Sequence, residues 1–102
     1  GPVTLNVTDF PFAYYLRQVQ GKITERWEGR ALAGRQPVAV FEIQRNGQIT
    51  GLAIERSSGN TYYDQLALRA IAEAAPFPPL PDGFPGQVLR VHLGFHHAPS
   101  QG

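Results

Sequence analysis

The sequence has no cysteine among its 102 residues, which excludes disulfide bridges and thiolate chemistry while leaving the cellular compartment open. Charge is scarce too. Nine Lys and Arg against eight Asp and Glu leave a net +1, a field too weak to recruit nucleic acid or an anionic membrane surface. No apolar run approaches the roughly 18 residues needed to span a bilayer, and no signal peptide is visible. Catalytic motifs are equally sparse. There is no Gly-x-Ser-x-Gly elbow. The segment GRALAGRQ, with Gly29 and Gly34, lacks the Lys-Ser/Thr that would make it a phosphate loop.

What is present is apolar material. With 42% hydrophobic residues, including six Phe, four Tyr and one Trp, the chain can build a core without metal or disulfide staples. Its length fits one domain. The opening Gly1-Pro2 reads as a protease-cleavage scar, and the sequence as a piece of a longer chain whose anchor and linker lie elsewhere. The expected division is 1–2 scar, 3–10 linker or short strand, 11–97 folded domain and 98–102 tail.

Val3, Leu5 and Val7 alternate with Thr4, Asn6 and Thr8, the period of a short half-buried strand, although a linker fits equally. Thr8 or Asp9 suits a helix N-cap, with Pro11 in the first turn, where its missing N–H has no helical partner anyway. Phe12, Leu16, Val19, Ile23 and Trp27 recur at helical spacing as one apolar stripe, closed by Glu28-Gly29. Gly29 to Pro37 reads as a loop. Val38 to Arg45 is a strand with Ala39, Phe41 and Ile43 on one face and Glu42 and Gln44 on the other. Asn46-Gly47 predicts a type I′ turn, whose central residues need positive φ, after which QITGLAIER folds back antiparallel. Gly51 throws Ile49 out of phase with Leu52 and Ile54, so a bulge or a close backbone approach is expected there.

Ser57-Ser58-Gly59-Asn60 is a turn and cap cluster, and Thr61 with Asp64 has the spacing of a capping box. The second helix runs to about Ala75 on a stripe of Tyr63, Ala67, Ala70, Ile71 and Ala74, small enough to lie close on a sheet; Pro76 stops it. Prolines at 76, 78, 79 and 81 then lock φ near −65° and hold the chain extended. Phe77 and Leu80 can press back onto the domain end with little conformational entropy left to lose. This segment reads as a clasp over the core edge, the alternative being a free polyproline ligand. The last run, QVLRVHLGF, sets Leu89, Val91, Leu93 and Phe95 on one face and Val88, Arg90, His92 and Gly94 on the other. The element order predicts an α+β fold: a three-stranded antiparallel sheet with two helices packed on one face, and a possible extra short N-terminal strand. The other face, carrying Glu42, Gln44, Arg90 and His92, is expected to be wet.

Other constellations favour plain structural roles. His92 and His96 share a strand face, but residues four apart on a strand lie ~13 Å apart, too far for one ion, and His97 adds nothing. Ser57 or Ser58 with Asp64 and His92 makes a hydrolase triad only on paper, because the serines sit where turns and caps need hydroxyls. A small hydrolase is therefore the distant alternative. Arg30, Arg35, Arg45 and Arg56 read as solvated surface, with an acidic partner as the rival reading. Trp27, Tyr14, Tyr15, Tyr62 and Tyr63 read as core or layer-edge aromatics, since no basic groove accompanies them as a nucleic-acid platform would require.

The run of a helix ending in ITERW, then VAVFEIQRNGQITGLAIERSSGN, then YDQLALRAIAEAAPFPPLP, then VLRVHLGF resembles the C-terminal domain of the TonB family, especially the branch shared with TolA. The resemblance covers Phe12 to Phe95. It implies a periplasmic adaptor of a Gram-negative cell, hung from an inner-membrane anchor by a long linker and transmitting work from an ion-driven motor. The implied partners are proteins: outer-membrane transporter plug segments or Tol/Pal-type envelope proteins. A TonB-like role in uptake, a TolA-like role in envelope integrity and a component of a motility machine all remain open. The resemblance calls for no catalytic residue, cofactor or metal and no nucleic acid.

In such a sheet the hairpin takes one side. That makes Gln87, Val88, Leu89, Arg90, Val91, His92, Leu93, Gly94 and Phe95 an edge strand whose unpaired N–H and C=O groups invite a partner strand. Val3 to Val7 has the same place to go. It can pair with that edge within the molecule or across a homodimer, imitating the partner.

Overall fold

The computed structural model describes residues 3–6, 12–27 and 36–95. Its elements are β1 (Val3–Asn6), α1 (Ala13–Arg26), β2 (Val38–Gln44), β3 (Ile49–Arg56), α2 (Thr61–Ala74) and β4 (Val88–Phe95). All neighbouring strands are antiparallel, in the order β1-β4-β2-β3. The expected three-stranded sheet is present, and the N-terminal segment adds a fourth strand on the outer side of β4.

The alternation read from the sequence decides which face is dry. Ala39, Phe41 and Ile43 of β2 and Leu89, Val91, Leu93 and Phe95 of β4 are buried, and both helices cover them. From α1 come Tyr15, Val19 and Ile23, with Trp27 just beyond the last turn, its ring 4.5 Å from that of Phe95. Phe12 and Leu16 of the predicted stripe are only half-buried; Tyr15 takes the position between them. Thr8, Asp9, Pro11 and Glu28-Gly29, expected to bound this helix, lie outside the described residues. Phe12 occupies the N-cap position without a side-chain cap bond.

In α2 the alanines 67, 70 and 74 and Ile71 are buried as expected, and Leu66 and Asp64 join them. The capping arrangement differs from the predicted box. Asn60, not Thr61, is the N-cap: its Oδ1 accepts from the N–H groups of Tyr62 and Tyr63 at 2.9 and 3.2 Å. Asn is the stronger cap of the two. Asp64 is thereby released to bind the preceding turn. Its carboxylate accepts from the Ser57 hydroxyl, from the Ser58 N–H at 2.9 Å and from the Ser58 hydroxyl at 2.7 Å. Burial pushes the Asp64 carboxyl up, but these three donors outweigh it and hold the group below the ordinary carboxylate range.

The hairpin turn is not the two-residue type I′ form. Gly47 N–H donates to Gln44 O at 2.8 Å and Gln44 N–H to Gln48 O at 2.7 Å. That leaves Arg45, Asn46 and Gly47 as a three-residue loop in which Gly47 takes φ +93°. The bulge at Gly51 is present. Val40 pairs with Ala53 but Glu42 with Thr50, so β3 carries an extra residue around Gly51, which has φ +68°. A second shift, between Val38 and Ala39, places another extra residue near Glu55.

The proline segment docks against this hairpin loop. Phe77 N–H donates to Gly47 O at 2.9 Å and Leu80 N–H to Arg45 O at 3.0 Å. Both side chains are about 3% exposed, and the Phe77 ring stacks on that of Phe41. Arg45 then reaches along the segment, donating to Pro81 O at 3.1 Å and to the carbonyls of Phe84 and Gly86. Solvated surface is therefore the wrong description of Arg45: its guanidinium is spent on backbone. Tyr15 completes the clasp by donating to Pro78 O at 2.7 Å, and burial pushes its pKa up to about 12, so the hydroxyl keeps its proton throughout the neutral range.

Two outcomes follow for stability. Alanine at Gly51 has open space around its Cβ and carries only the left-handed backbone penalty of roughly 1–2 kcal/mol. Alanine at Gly47 carries the same penalty and also sets its Cβ 1.9 Å from Phe77 O, so the clasp must move. In urea denaturation Gly47→Ala is expected to lose at least about 2 kcal/mol more than Gly51→Ala, with the slope unchanged; equal losses would show that the clasp does not bear on the loop. For Asp64, a folded pKa below the unfolded value gives stability that is present above about pH 4 and lost as pH falls through the folded value. Asp64→Asn is expected to cost roughly 1–3 kcal/mol at neutral pH and to flatten the stability profile below pH 4, read by denaturation at several pH values.

Candidate functional site

The outer side of β4 can be reconstructed bond by bond. Phe95 N–H donates to Pro37 O at 3.1 Å, so Phe95, Leu93, Val91 and Leu89 turn their backbone groups toward β2, and antiparallel alternation turns those of Gly94, His92, Arg90 and Val88 away from it. β1 fills part of that side: Val3 lies opposite Phe95, Thr4 opposite Gly94, Leu5 opposite Leu93 and Asn6 opposite His92. Among the described residues no strand lies outside Val88, Leu89, Arg90 and Val91. The nine-residue edge expected from the sequence is thus corrected in two ways. Gln87 precedes the strand, and a four-residue strand of the same chain covers the second half of β4, leaving only the first half without a neighbour among the described residues.

The side chains facing solvent along β4 are tied across the sheet. Arg90 Nη1 lies 3.2 Å from Glu42 Oε2, directly opposite on β2. His92 Nδ1 lies 2.6 Å from Glu55 Oε1 on β3. Both pairs are solvent-accessible and contribute little to stability; Val88, at the start of the strand, is exposed. Between His92, Glu55, Arg56 and Val38 the surface is hollowed into an open depression of about 620 Å³.

The rival chemistries can be placed. Ser57 and Ser58 do meet Asp64, but as donors that fix the turn before α2. His92 pairs with Glu55 on the wet face of the sheet, while Asp64 is buried at the foot of α2, so the structure does not bring the three together. Among the described residues no three His, Cys, Asp or Glu side chains converge as a metal site; His96 and His97 lie outside those residues, as do Arg30 and Arg35. Tyr14 and Tyr62 are exposed, whereas Tyr15 and Trp27 are core.

One residue at this edge had no signature in the sequence. Gln20, on α1, donates from Nε2 to the carbonyl of Val3, bracing β1 from the helix side. It sits beside the apolar stripe at a position that any polar residue could fill, and only the fold brings it to the strand.

Among the described residues no helix is long and apolar enough to cross a membrane. No curated protein matches the sequence. The solution structure of the TonB C-terminal domain of Helicobacter pylori is similar in fold, with a TM-score of 0.63 over 87% of this chain and 84% of that one, at 18% identity. The family described as TonB C terminal matches residues 12–95. That span includes both helices, the hairpin, the clasp and all of β4, and the chain belongs to the TonB C-terminal family.

Proposed function

We propose that this domain is the periplasmic, non-catalytic binding module of a TonB-family energy transducer and that it grips an extended segment of an outer-membrane transporter plug by adding it as a strand to the outer edge of β4. The full-length protein is anchored in the inner membrane and carries force from a proton-driven motor. The observation supporting this reading is the edge itself. Val88 and Arg90 turn their N–H and C=O groups outward with no described strand beside them, in a domain of this family. An unpaired edge of this kind is a template for strand addition.

The energetics suit a force-bearing grip that must also release. A handful of backbone hydrogen bonds, each worth about 0.5–1.5 kcal/mol net, less the cost of ordering the peptide, gives micromolar affinity or weaker. Pulled along the strand, the bonds share the load, so the joint resists force better than its equilibrium affinity suggests.

Proline at position 90 removes an outward N–H and leaves the pairing with β2 intact, since the Arg90 backbone groups face away from that strand. Arg90→Pro is expected to keep the fold and to weaken binding of a transporter-plug peptide at least about tenfold in an NMR titration. In the unaltered domain the largest shifts should fall on Val88 to Val91. Shifts confined to α1 and α2, or undiminished binding by the proline variant, would overturn this mode.

A further inference from the structure

The seating of β1 goes beyond the presence of a fourth strand. Val3 is fully buried in the same core cluster as Val19, Ile23 and Phe95. It lies opposite Phe95 in register, and its carbonyl accepts from Gln20. A strand merely resting on an exposed edge would have its backbone paired on one side only. Here the strand is held from β4 by the ladder, from α1 by a side-chain amide, and from below by the core. The α1–β4 edge is therefore shaped as a slot.

We propose that this slot is the full-length partner site, held by the chain's own β1 as a surrogate until an extended partner segment displaces it, with Gln20 and the subsite filled by Val3 setting what the slot accepts. The inference rests on the strand-addition reading above and adds its regulation and its specificity. The occupant it requires is an antiparallel segment. Opposite Phe95 it carries an apolar side chain that fits a subsite of valine size, with a main-chain carbonyl at the same residue for Gln20 to donate to. Charge at the position opposite Phe95, where Val3 is fully buried, would be buried without a partner and is rejected.

The two halves of β4 give the exchange an order. The partner enters at Val88 to Val91, outside which no strand lies among the described residues, and β1 is displaced from there. In the antiparallel sense, the residues that dock first are C-terminal to those that later face His92 to Phe95. Once that half is paired, each further bond the partner forms replaces one that β1 gives up, and displacement proceeds without exposing the whole edge to water. β1 competes at the high effective concentration of a tethered strand, and binding to the intact domain is weakened accordingly.

The test uses the chain's own strand as probe. A synthetic peptide of residues 1–8 is titrated into the intact domain and into Thr4→Pro, which breaks the β1 ladder opposite Gly94, with Trp27 fluorescence as the check on folding. The peptide is expected to bind Thr4→Pro at least about tenfold more tightly than the intact domain, shifting the His92 and Gly94 amides. Adding Gln20→Ala to Thr4→Pro should weaken it about two- to tenfold, the worth of one hydrogen bond. A folded Thr4→Pro domain that ignores the peptide, equal affinity for both domains, or indifference to Gln20→Ala would each overturn the proposal.

Hydrogen exchange on the unaltered chain decides the matter even if the proline variant does not fold. Outward amides at His92 and Gly94 should exchange through a local opening, at least about tenfold faster than those of Phe41 and Val91. Equal protection would mean that β1 leaves only when the domain unfolds. The two readings fail separately. A plug peptide that binds the intact and Thr4→Pro domains alike sinks the regulation and keeps the grip, whereas probe binding without plug binding keeps the slot and sinks the partner.

Discussion

A proline-rich segment is short of hydrogen-bond donors and rich in acceptors, and the architecture of this domain turns on how that imbalance is met. Four of the six residues from Pro76 to Pro81 have no N–H to give. The two that do, Phe77 and Leu80, spend theirs on the hairpin carbonyls of Gly47 and Arg45. Two of its carbonyls are met from outside the segment: Tyr15 takes Pro78, and the guanidinium of Arg45, with its fixed fork of donors, takes Pro81 and continues to Phe84 and Gly86. One arginine at the tip of a β-turn thus satisfies a stretch of irregular backbone that could not otherwise lie against a protein surface.

The position of the edge follows from that docking. The chain leaves α2 on the β3 side of the sheet, is held across the hairpin end, and is delivered to Val88 on the far side of β2. β4 must therefore pair with β2 and turn its other side outward. The apolar seat between that outward side and α1 is what β1 occupies. Clasp, sheet order and strand slot are successive consequences of a single crossing.

The parts of this arrangement that were legible in the sequence are those encoded locally. Alternation in VAVFEIQ and VLRVHLGF gave the dry face of the sheet, the phase break at Gly51 gave the bulge, and prolines flanking Phe77 and Leu80 gave the clasp. The local errors were errors of degree. Asn60 and Thr61 compete for one cap, and Asn-Gly serves a three-residue loop as readily as a two-residue one. What sequence reasoning missed is a set of long-range polar contacts. Arg45 reaching Gly86, Gln20 reaching Val3 and Asp64 folding back on Ser58 link residues whose types are common everywhere on surfaces. Their pairing is a property of the folded geometry. The pairing of β1 with the second half of β4 was left undecided by the sequence, because nothing in VTLN distinguishes a strand that pairs from a linker that does not.

The two irregularities in β3 bear on growth at the opposite border of the sheet. A strand with extra residues near Gly51 and near Glu55 presents its outward N–H and C=O groups in broken phase. A straight neighbour could match only a few consecutive bonds before falling out of step. Such a border discourages pairing with other chains, a common protection against edge-to-edge aggregation. The sheet is consequently polar in its capacity to extend: one flank is spoiled for templating, and the other is covered over its second half by a short segment of the molecule itself. A sheet with one border out of phase and the other partly paired within the molecule offers few consecutive bonds to a second copy, which opposes the stacking that leads to fibres.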